Sequence, residues 1–217
     1  MISLVPTTVG LVMSGYVITL HLMSASVISR LVGMGRWLED AQGRLQHSAL
    51  ELFGERGFEQ TTVADIADRA GVTERTFFRY FADKREVLFA GSRELQAAVV
   101  EAIASAPSTL SPLDTACGAL SSGGSLFVRA YSQQRSAVIA ANPSLHEREL
   151  LKLATMGAAV AGALRARGVS DENAAVAAET AMTVFKLAFE RWISDPGSGE
   201  FEQCSTDVLR QLRQLTG

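Results

Sequence analysis

Side chains that can bind a nucleic acid are concentrated in residues 62–84, whose sequence is TVADIADRAGVTERTFFRYFADK. The start and stop signals predict two short helices, from about Val63 to Ala70 and from Thr73 to about Phe81. Gly71 lies between them and can adopt the left-handed conformation that ends a helix. Two short helices joined in this way are typical of a helix-turn-helix, whose second helix enters the major groove of DNA.

The side chains of this segment divide into apolar and DNA-facing sets. Phe77 and Phe81 lie four residues apart and are predicted to pack inside the unit. Arg75 is the predicted base-reading residue, because a guanidinium pairs bidentately with guanine. Hydroxyl and amine groups nearby can reach phosphates. The predicted DNA-contacting set is Thr62, Thr73, Glu74, Arg75, Thr76, Phe78, Tyr80 and Lys84.

Helices on both sides must hold this segment in place. A first helix is predicted from the apolar face formed by Leu38, Ala41, Leu45, Ala49 and Leu52. Gly54 and Gly57 are predicted to close it. A fourth helix is predicted to start at Asp83 and to continue without a break to Ile103.

The rest of the chain has the apolar periodicity of helices and no alternating stretch long enough for a sheet. The predicted fold class is all-α, with a three-helix helix-turn-helix domain followed by a larger helical bundle. The predicted domains are residues 34–82 and residues 83–217. The later helices are predicted as Pro112 onward, Ser132–Ala141, Leu145–Arg167, Asp171–Ser194 and Glu200–Leu215.

The first 33 residues differ from the rest, since no charged side chain occurs from Met1 to Ser29. A secretory signal would need a basic region before the apolar stretch, and none is present. Three interpretations stay open: an anchor spanning Leu11 to Leu31, a structured arm, or an extension outside the fold, with translation starting near Met34. The third is preferred.

Composition excludes several classes of function. A net charge of −3 argues against a general polycation that binds DNA by charge alone. Cys117 and Cys204 lie far apart without a CxxC motif, and are predicted to be buried thiols of a cytoplasmic protein. His146 and Glu147 form half of an HExxH motif whose second histidine is replaced by Leu150. Neither a metal site, a cofactor nor an enzymatic activity is predicted.

The segment from about Trp37 to Phe89 resembles the N-terminal domain of the TetR family of regulators. The similar stretches are ALELFGERGFEQTTVADIADRAGV and TERTFFRYFADKREVL. The resemblance covers about a quarter of the chain, and beyond it the layout alone is similar. It implies a regulator, most often a repressor, whose affinity for DNA falls when a small molecule enters the helical domain.

The resemblance also assigns roles by position. It places Glu74 and Arg75 where bases are commonly met, and Thr62, Thr73, Tyr80 and Lys84 where phosphates are commonly met. At Phe78 many members carry tyrosine, so a hydroxyl for phosphate is lost there. The implied partners are a double-stranded DNA operator, an unidentified small-molecule effector and a second copy of the chain; no stable membrane association is expected.

Candidate residues for the effector and the dimer follow from the predicted helices. The effector site is expected to be an apolar cavity between helices, with Phe127, Tyr131, Met156, Met182, Phe185 and Phe189 as candidates. The last two helices are expected to form a two-fold interface. Its candidates are Val184, Leu187, Ala188, Trp192, Val208, Leu209, Leu212 and Leu215.

Two other functions compete with a cytoplasmic repressor that binds a palindromic operator as a dimer. One is a DNA-binding regulator tethered to the membrane by its N-terminal segment. The other is a helical protein that binds small molecules, or an enzyme, in which the helix-turn-helix serves packing alone. Salt-dependent binding to operator DNA distinguishes the last from the first two.

Overall fold

The computed structural model describes residues 41–216, and this part of the chain contains helices and no strands. The predictions for residues 1–33 and for Leu38 lie outside the described residues. The α-helices, in chain order, are α1 (Ala41–Arg56), α2 (Val63–Arg69), α3 (Glu74–Tyr80), α4 (Ser92–Ser105), α5 (Pro112–Gly124), α6 (Arg129–Ala140), α7 (Pro143–Ala166), α8 (Asp171–Ser194) and α9 (Phe201–Thr216). A 3-10 helix, Glu86–Phe89, precedes α4. The predicted all-α class is confirmed.

Several helix starts have the residues that the sequence predicted. Ser111 caps α5 by accepting a hydrogen bond from the backbone N–H of Asp114, with Pro112 as the first helical residue. Helix α8 has the predicted bounds and is capped by Ser170. Helices α6 and α7 begin earlier than predicted. In α7, Pro143 is part of the first turn and not of the preceding loop.

The predicted end of α1 was partly wrong. Gly54 lies inside the helix, and Gly57, with a φ of 84°, follows its last residue. A residue with a side chain is strained at such a positive φ, so Gly57 is the glycine that lets the chain leave α1.

The prediction of one continuous helix from Asp83 to Ile103 was also wrong. The chain forms the 3-10 helix, turns at Gly91 with a φ of 80°, and begins α4 at Ser92. Asp83 still acts at the start of this segment, because its carboxylate accepts the backbone N–H groups of Arg85 at 2.8 Å and Glu86 at 3.2 Å. The start signal was therefore correct, whereas the continuity was not.

Two hydrophobic cores are buried in the described part of the chain. The N-terminal core joins α1, α2, α3 and the 3-10 helix, and it also includes Val138 and Ile139 of α6 and Leu145 of α7. The regulatory core joins α4, α5, α7, α8 and α9, with α8 packed against α5, α7 and α9. Because Val87, Leu88 and Phe89 belong to the N-terminal core, packing extends that unit beyond the predicted boundary at residue 82.

Among residues 41–216, no helix combines the length and the apolar character needed to cross a membrane.

Candidate nucleic-acid interface

Helix α2 begins at a capping box. Thr62 Oγ1 accepts a hydrogen bond from the backbone N–H of Asp65 at 3.1 Å, and the Asp65 carboxylate accepts the backbone N–H of Thr62 at 2.8 Å. The Thr62 hydroxyl also donates to this carboxylate at 2.6 Å. These bonds from Thr62 lower the pKa of Asp65 below its ordinary value. The box thus sets where α2 begins, while Thr62 stays exposed.

The turn between α2 and α3 depends on Gly71, whose φ is 66°. Thr73 then caps α3 by accepting a hydrogen bond from the backbone N–H of Thr76 at 3.2 Å. The hydroxyls of Thr73 and Thr76 lie 3.1 Å apart. The two predicted helices and their turn are confirmed, and the two threonine hydroxyls are together at the start of α3.

Helix α3 has a buried side and an exposed side. Phe77 is fully buried and contacts the rings of Phe81 and Phe78, with centroids 5.4 and 5.5 Å away. Phe78 itself is 54% exposed. The side chains on the outer side, which we call the exposed face of α3, are Glu74, Arg75, Phe78, Arg79 and Tyr80.

Four residues of this face were in the predicted DNA-contacting set, and Arg79 was not. Its guanidinium donates to the Tyr80 hydroxyl at 3.1 Å and lies 4.9 Å from the centroid of the Tyr80 ring. Arg79 follows Arg75 by four residues, so the two arginines lie one helical turn apart on the same side. That spacing was a signal in the sequence for a second cation at this face.

Lys84 contacts the loop between α1 and α2. Its ammonium group donates to the carbonyl oxygens of Phe58 at 2.7 Å and Thr61 at 3.0 Å, and lies 4.2 Å from the centroid of the Phe58 ring. These bonds hold the Lys84 side chain against that loop, and its phosphate contact stays a prediction. Its partners lie more than twenty residues away, so local spacing could not reveal them.

Helix α1 holds α2 through two arginines. Arg69 makes two hydrogen bonds of 2.9 Å to the carboxylate of Glu55, which lowers the pKa of Glu55. Arg44 donates to the backbone carbonyl of Ala70 at 3.0 Å, just beyond the last residue of α2. These contacts fix α2, against which α3 packs, and the sequence analysis did not identify them.

The 3-10 helix links the helix-turn-helix to the later helices. The Glu86 carboxylate accepts hydrogen bonds from Arg148 at 2.6 Å and Lys152 at 3.1 Å, both on α7. Arg135 of α6 donates to the carbonyl of Leu88 at 2.7 Å and to Glu149 of α7 at 3.0 Å. These bonds attach α6 and α7 directly to the segment that follows α3.

The predicted effector residues do not form one group. Phe127, Phe185 and Phe189 contact one another beside the regulatory core, with ring centroids 5.8 to 6.5 Å apart. Met156 and Met182 are buried within that core. Tyr131 packs instead against the N-terminal core, and burial raises its pKa. Clefts of about 120 and 300 Å³ are lined by other residues.

Half of the predicted dimer residues are buried inside the protomer. Val184, Ala188 and Trp192 face the regulatory core from α8, and Val208 does so from α9. Leu209 and Leu212 are partly buried, whereas Leu187 and Leu215 are exposed.

Helix α8 turns by about 100° per residue, so the inward face and the face open to a partner are offset by a single position. Val176, Thr183 and Leu187 share the outer face of α8.

Both cysteines are buried, as predicted. Burial raises the pKa of Cys117 to about 12. Within residues 41–216 no group of histidine, cysteine, aspartate and glutamate side chains is arranged to hold a metal ion.

The comparisons with known proteins agree with this architecture. Residues 45–90 match the model of the bacterial regulatory proteins of the TetR family. The chain is 39% identical over 84 residues to the transcriptional regulator TcmR of Streptomyces glaucescens, covering 39% of this chain and 37% of TcmR. It is 43% identical over 47 residues to the transcriptional repressor KstR2 of Mycobacterium tuberculosis, covering 22% of this chain and 24% of KstR2. The chain thus matches about a third or less of these relatives' length.

A solved structure supports the fold over a longer range. SmeT, the repressor of the Stenotrophomonas maltophilia multidrug efflux pump SmeDEF, aligns with 82% of this chain and 91% of its own, at a TM-score of 0.53 and 15% sequence identity. At this identity the likeness concerns the fold alone. The family match falls on α1 through the 3-10 helix, where the capped helices, the Gly71 turn and the exposed face of α3 were found. Over residues 45–90, the chain is therefore similar to the bacterial regulatory proteins of the TetR family.

Proposed function

We propose that the chain is a cytoplasmic transcriptional regulator, acting as a repressor, that binds a palindromic operator as a homodimer and is released by a small molecule. The observation that carries the proposal is the exposed face of α3. It presents two arginines, a carboxylate and two aromatic rings on a helix whose other side is fixed by Phe77. This is the chemistry needed to read base edges in the major groove.

The roles of the individual residues follow from their positions. Arg75 reads a guanine, and Glu74 accepts from a cytosine amino group. Phe78 packs against a thymine methyl or a sugar, and Tyr80 with Arg79 contacts the phosphate backbone. Thr62, Thr73 and Thr76 lie near helix starts, where hydroxyls and backbone N–H groups can meet phosphates.

Dimerisation is proposed through the outer faces of α8 and α9. One helix-turn-helix contacts few base pairs, so two linked units are needed to compete with non-specific DNA. Val176 and Leu187 on α8 and Leu215 on α9 are large apolar side chains exposed on these helices. Leu187→Glu and Leu215→Glu together should convert a dimer to a monomer in sedimentation equilibrium. Leu110→Glu, in the loop before α5, should leave the dimer intact.

Release by a ligand is proposed to act through the 3-10 helix. A ligand can shift DNA binding only if it binds two conformations with different affinity. The bonds from Arg135, Arg148 and Lys152 to the segment Glu86–Phe89 give the helical bundle a direct hold on the residues following α3. A shift of α6 or α7 would thereby change the separation of the two recognition helices in the dimer.

Selection of bound sequences from a random DNA pool tests the proposal. The wild-type chain should enrich a palindrome with half-sites about one helical turn apart. Arg75→Ala should lose or relax the preference at one position of each half-site, at a cost of about tenfold or more in affinity. Arg210→Ala removes the same charge from the exposed surface of α9 and should leave the palindrome unchanged. Absence of any enriched sequence would contradict the proposal.

A further inference from the structure

Two buried polar atoms of the regulatory helices have no hydrogen-bond partner among residues 41–216. They are the indole Nε1 of Trp192 on α8 and the hydroxyl of Ser121 on α5. Trp192 is 3% exposed and Ser121 is 8% exposed. Leaving such a group buried and unpaired is unfavourable, so each calls for an explanation.

The Trp192 indole belongs to a cluster of five aromatic side chains. The aromatic cluster consists of Phe127, Phe185, Phe189, Trp192 and Phe201. Phe127 contacts each of the other four, with centroids 5.8 to 6.4 Å away. Trp192 and Phe201 meet nearly at right angles, with centroids 5.9 Å apart. Planar rings are therefore the groups that this part of the core accommodates.

The Phe201 ring packs between the other aromatic rings and the backbone of α5. A Cβ at Gly124 of α5 would collide with the Phe201 ring, so the ring rests directly on the helix backbone. Ser121 lies three residues before Gly124, about one turn away on the same helix. Phe201 is the first residue of α9 and follows a loop in which Gly199 has a φ of 76°. The Phe201 ring thus contacts the Trp192 indole, rests on α5 one turn from Ser121, and belongs to a residue at the end of a loop.

We propose that the aromatic cluster is the effector site, and that its ligand is an uncharged planar aromatic molecule carrying a hydrogen-bond acceptor such as a ring carbonyl. The ligand takes the place of the Phe201 ring and accepts the Trp192 Nε1–H, with the Ser121 hydroxyl as a second donor. This inference rests on the proposed function, whose effector it specifies. It accounts for both unpaired atoms, because each donor gains its acceptor when the ligand binds.

The absence of charge on the ligand follows from the side chains around it, which are aromatic rings and two neutral donors. Arg129 of α6 lies 5.2 Å from the centroid of the Trp192 ring. Its guanidinium donates to the carbonyls of Asp195, at 3.1 Å, and Gly199. Two of its N–H groups are therefore bound to the loop before α9, and a charged ligand among the aromatic rings would lose its hydration.

Arg129 also connects the site to the DNA-binding unit. It stands at the first position of α6, the helix that carries Arg135. Displacing Phe201 would disturb the loop that Arg129 holds, and α6 would transmit the change through the bond from Arg135 to Leu88. Ligand binding and operator release would then share a single short helix.

Equilibrium dialysis of the full chain against fluorenone and fluorene tests the inference without DNA. The two probes have the same planar skeleton, and only fluorenone has a carbonyl. The wild-type chain should bind fluorenone about tenfold more tightly than fluorene, the value of one hydrogen bond to a buried donor. Failure to bind fluorenone, or equal affinity for the two probes, would overturn the inference.

Variants assign the preference to its donors. Trp192→Phe keeps a ring and removes the N–H, so the preference should fall to about onefold while fluorene still binds. Ser121→Ala should reduce the preference for fluorenone in part. If circular dichroism shows that Trp192→Phe does not fold, Ser121→Ala is the variant that tests the inference. Tyr131→Phe removes a hydroxyl from the other core and should change nothing. A preference that survives Trp192→Phe and Ser121→Ala would also overturn the inference.

The two proposals fail separately. A chain that selects no operator but prefers fluorenone retains the site and loses the regulatory function. A chain that selects an operator and shows no preference for fluorenone is a regulator whose effector has different chemistry.

Discussion

The two cores of this protein treat polar groups differently. In the N-terminal core, the buried hydroxyl of Thr61 donates to the carbonyl oxygens of Gly57, at 2.9 Å, and Leu52, at 3.3 Å. The ammonium group of Lys84 donates to the carbonyl oxygen of Thr61 itself. In the regulatory helices, the Trp192 indole N–H and the Ser121 hydroxyl are buried with no hydrogen-bond partner in the described part of the chain. Satisfied networks favour one arrangement, whereas unpaired groups favour any state that supplies a partner. The first core therefore holds α3 in one position. The second core would be stabilised by a ligand that supplies an acceptor.

The largest effect should come from the centre of the N-terminal core. Phe77→Ala removes a fully buried ring and should lower the free energy of unfolding by about 3–5 kcal/mol, measured by urea denaturation. Phe78→Ala, the adjacent and exposed ring, should change stability little and weaken operator binding instead. Equal losses of stability in the two variants would contradict a division of α3 into a packing side and a reading side.

The regulatory core can be probed at its glycines. Gly124→Ala places a methyl group against the Phe201 ring and should cost about 1–3 kcal/mol through overpacking. Gly118→Ala on the same helix has open space around it and should stabilise the chain by about 0.5–1 kcal/mol. Thermal denaturation should therefore move the two variants in opposite directions. A shift in the same direction would mean that the ring does not rest on the backbone of α5.

Substitutions at Lys84 and Arg79 should affect stability and DNA binding differently. Lys84→Met removes the donor to two carbonyls and should lower the unfolding free energy by about 2 kcal/mol. In operator titrations over a series of salt concentrations, this variant should keep the wild-type slope. Arg79→Met should reduce the slope by about one phosphate contact. A reduced slope for Lys84→Met would instead support the phosphate contact that the sequence predicted.

The smallest effect concerns the cap of α2. Since the pKa of Asp65 is lowered in the folded chain, its contribution is full above the ordinary carboxyl range and is lost as the pH falls through the lowered pKa. At about pH 7 the wild type should thus melt at a higher temperature than Asp65→Asn. This difference should shrink as the pH falls toward about 2. Asp68→Asn, on the same helix outside the capping box, serves as the control. A difference that does not change with pH would exclude the carboxylate as its source.

Features with short-range causes were predictable from the sequence. The capping box of Thr62 and Asp65, the turn at Gly71 and the bounds of α8 depend on residues within a few positions of each other. The break at Gly91 was missed because a start signal at Asp83 and an apolar face looked continuous. What ends the segment is a glycine with a φ of 80°, and sequence pattern alone does not distinguish it from a tolerated helical glycine.

The site residues show the same limit. The exposed face of α3 was largely predicted, since it needed only the helical period and the position of Phe77. The carbonyl partners of Lys84 and the burial of Trp192 depend on contacts between distant parts of the chain. On α8, a residue that faces the core and a residue that faces outward are neighbours in the sequence, about 100° apart around the helix. Apolar pattern alone did not provide that precision.

The shared N-terminal core limits how this protein can be recombined with its relatives. Val138, Ile139 and Leu145 come from helices that follow the family match by about fifty residues, yet they belong to the same core as Phe89. A DNA-binding unit excised after residue 90 would expose that apolar surface to water. Exchange of recognition specificity between such regulators is therefore easier by substitution on the exposed face of α3 than by transplanting the unit. A working chimera must also carry the matching positions of α6 and α7.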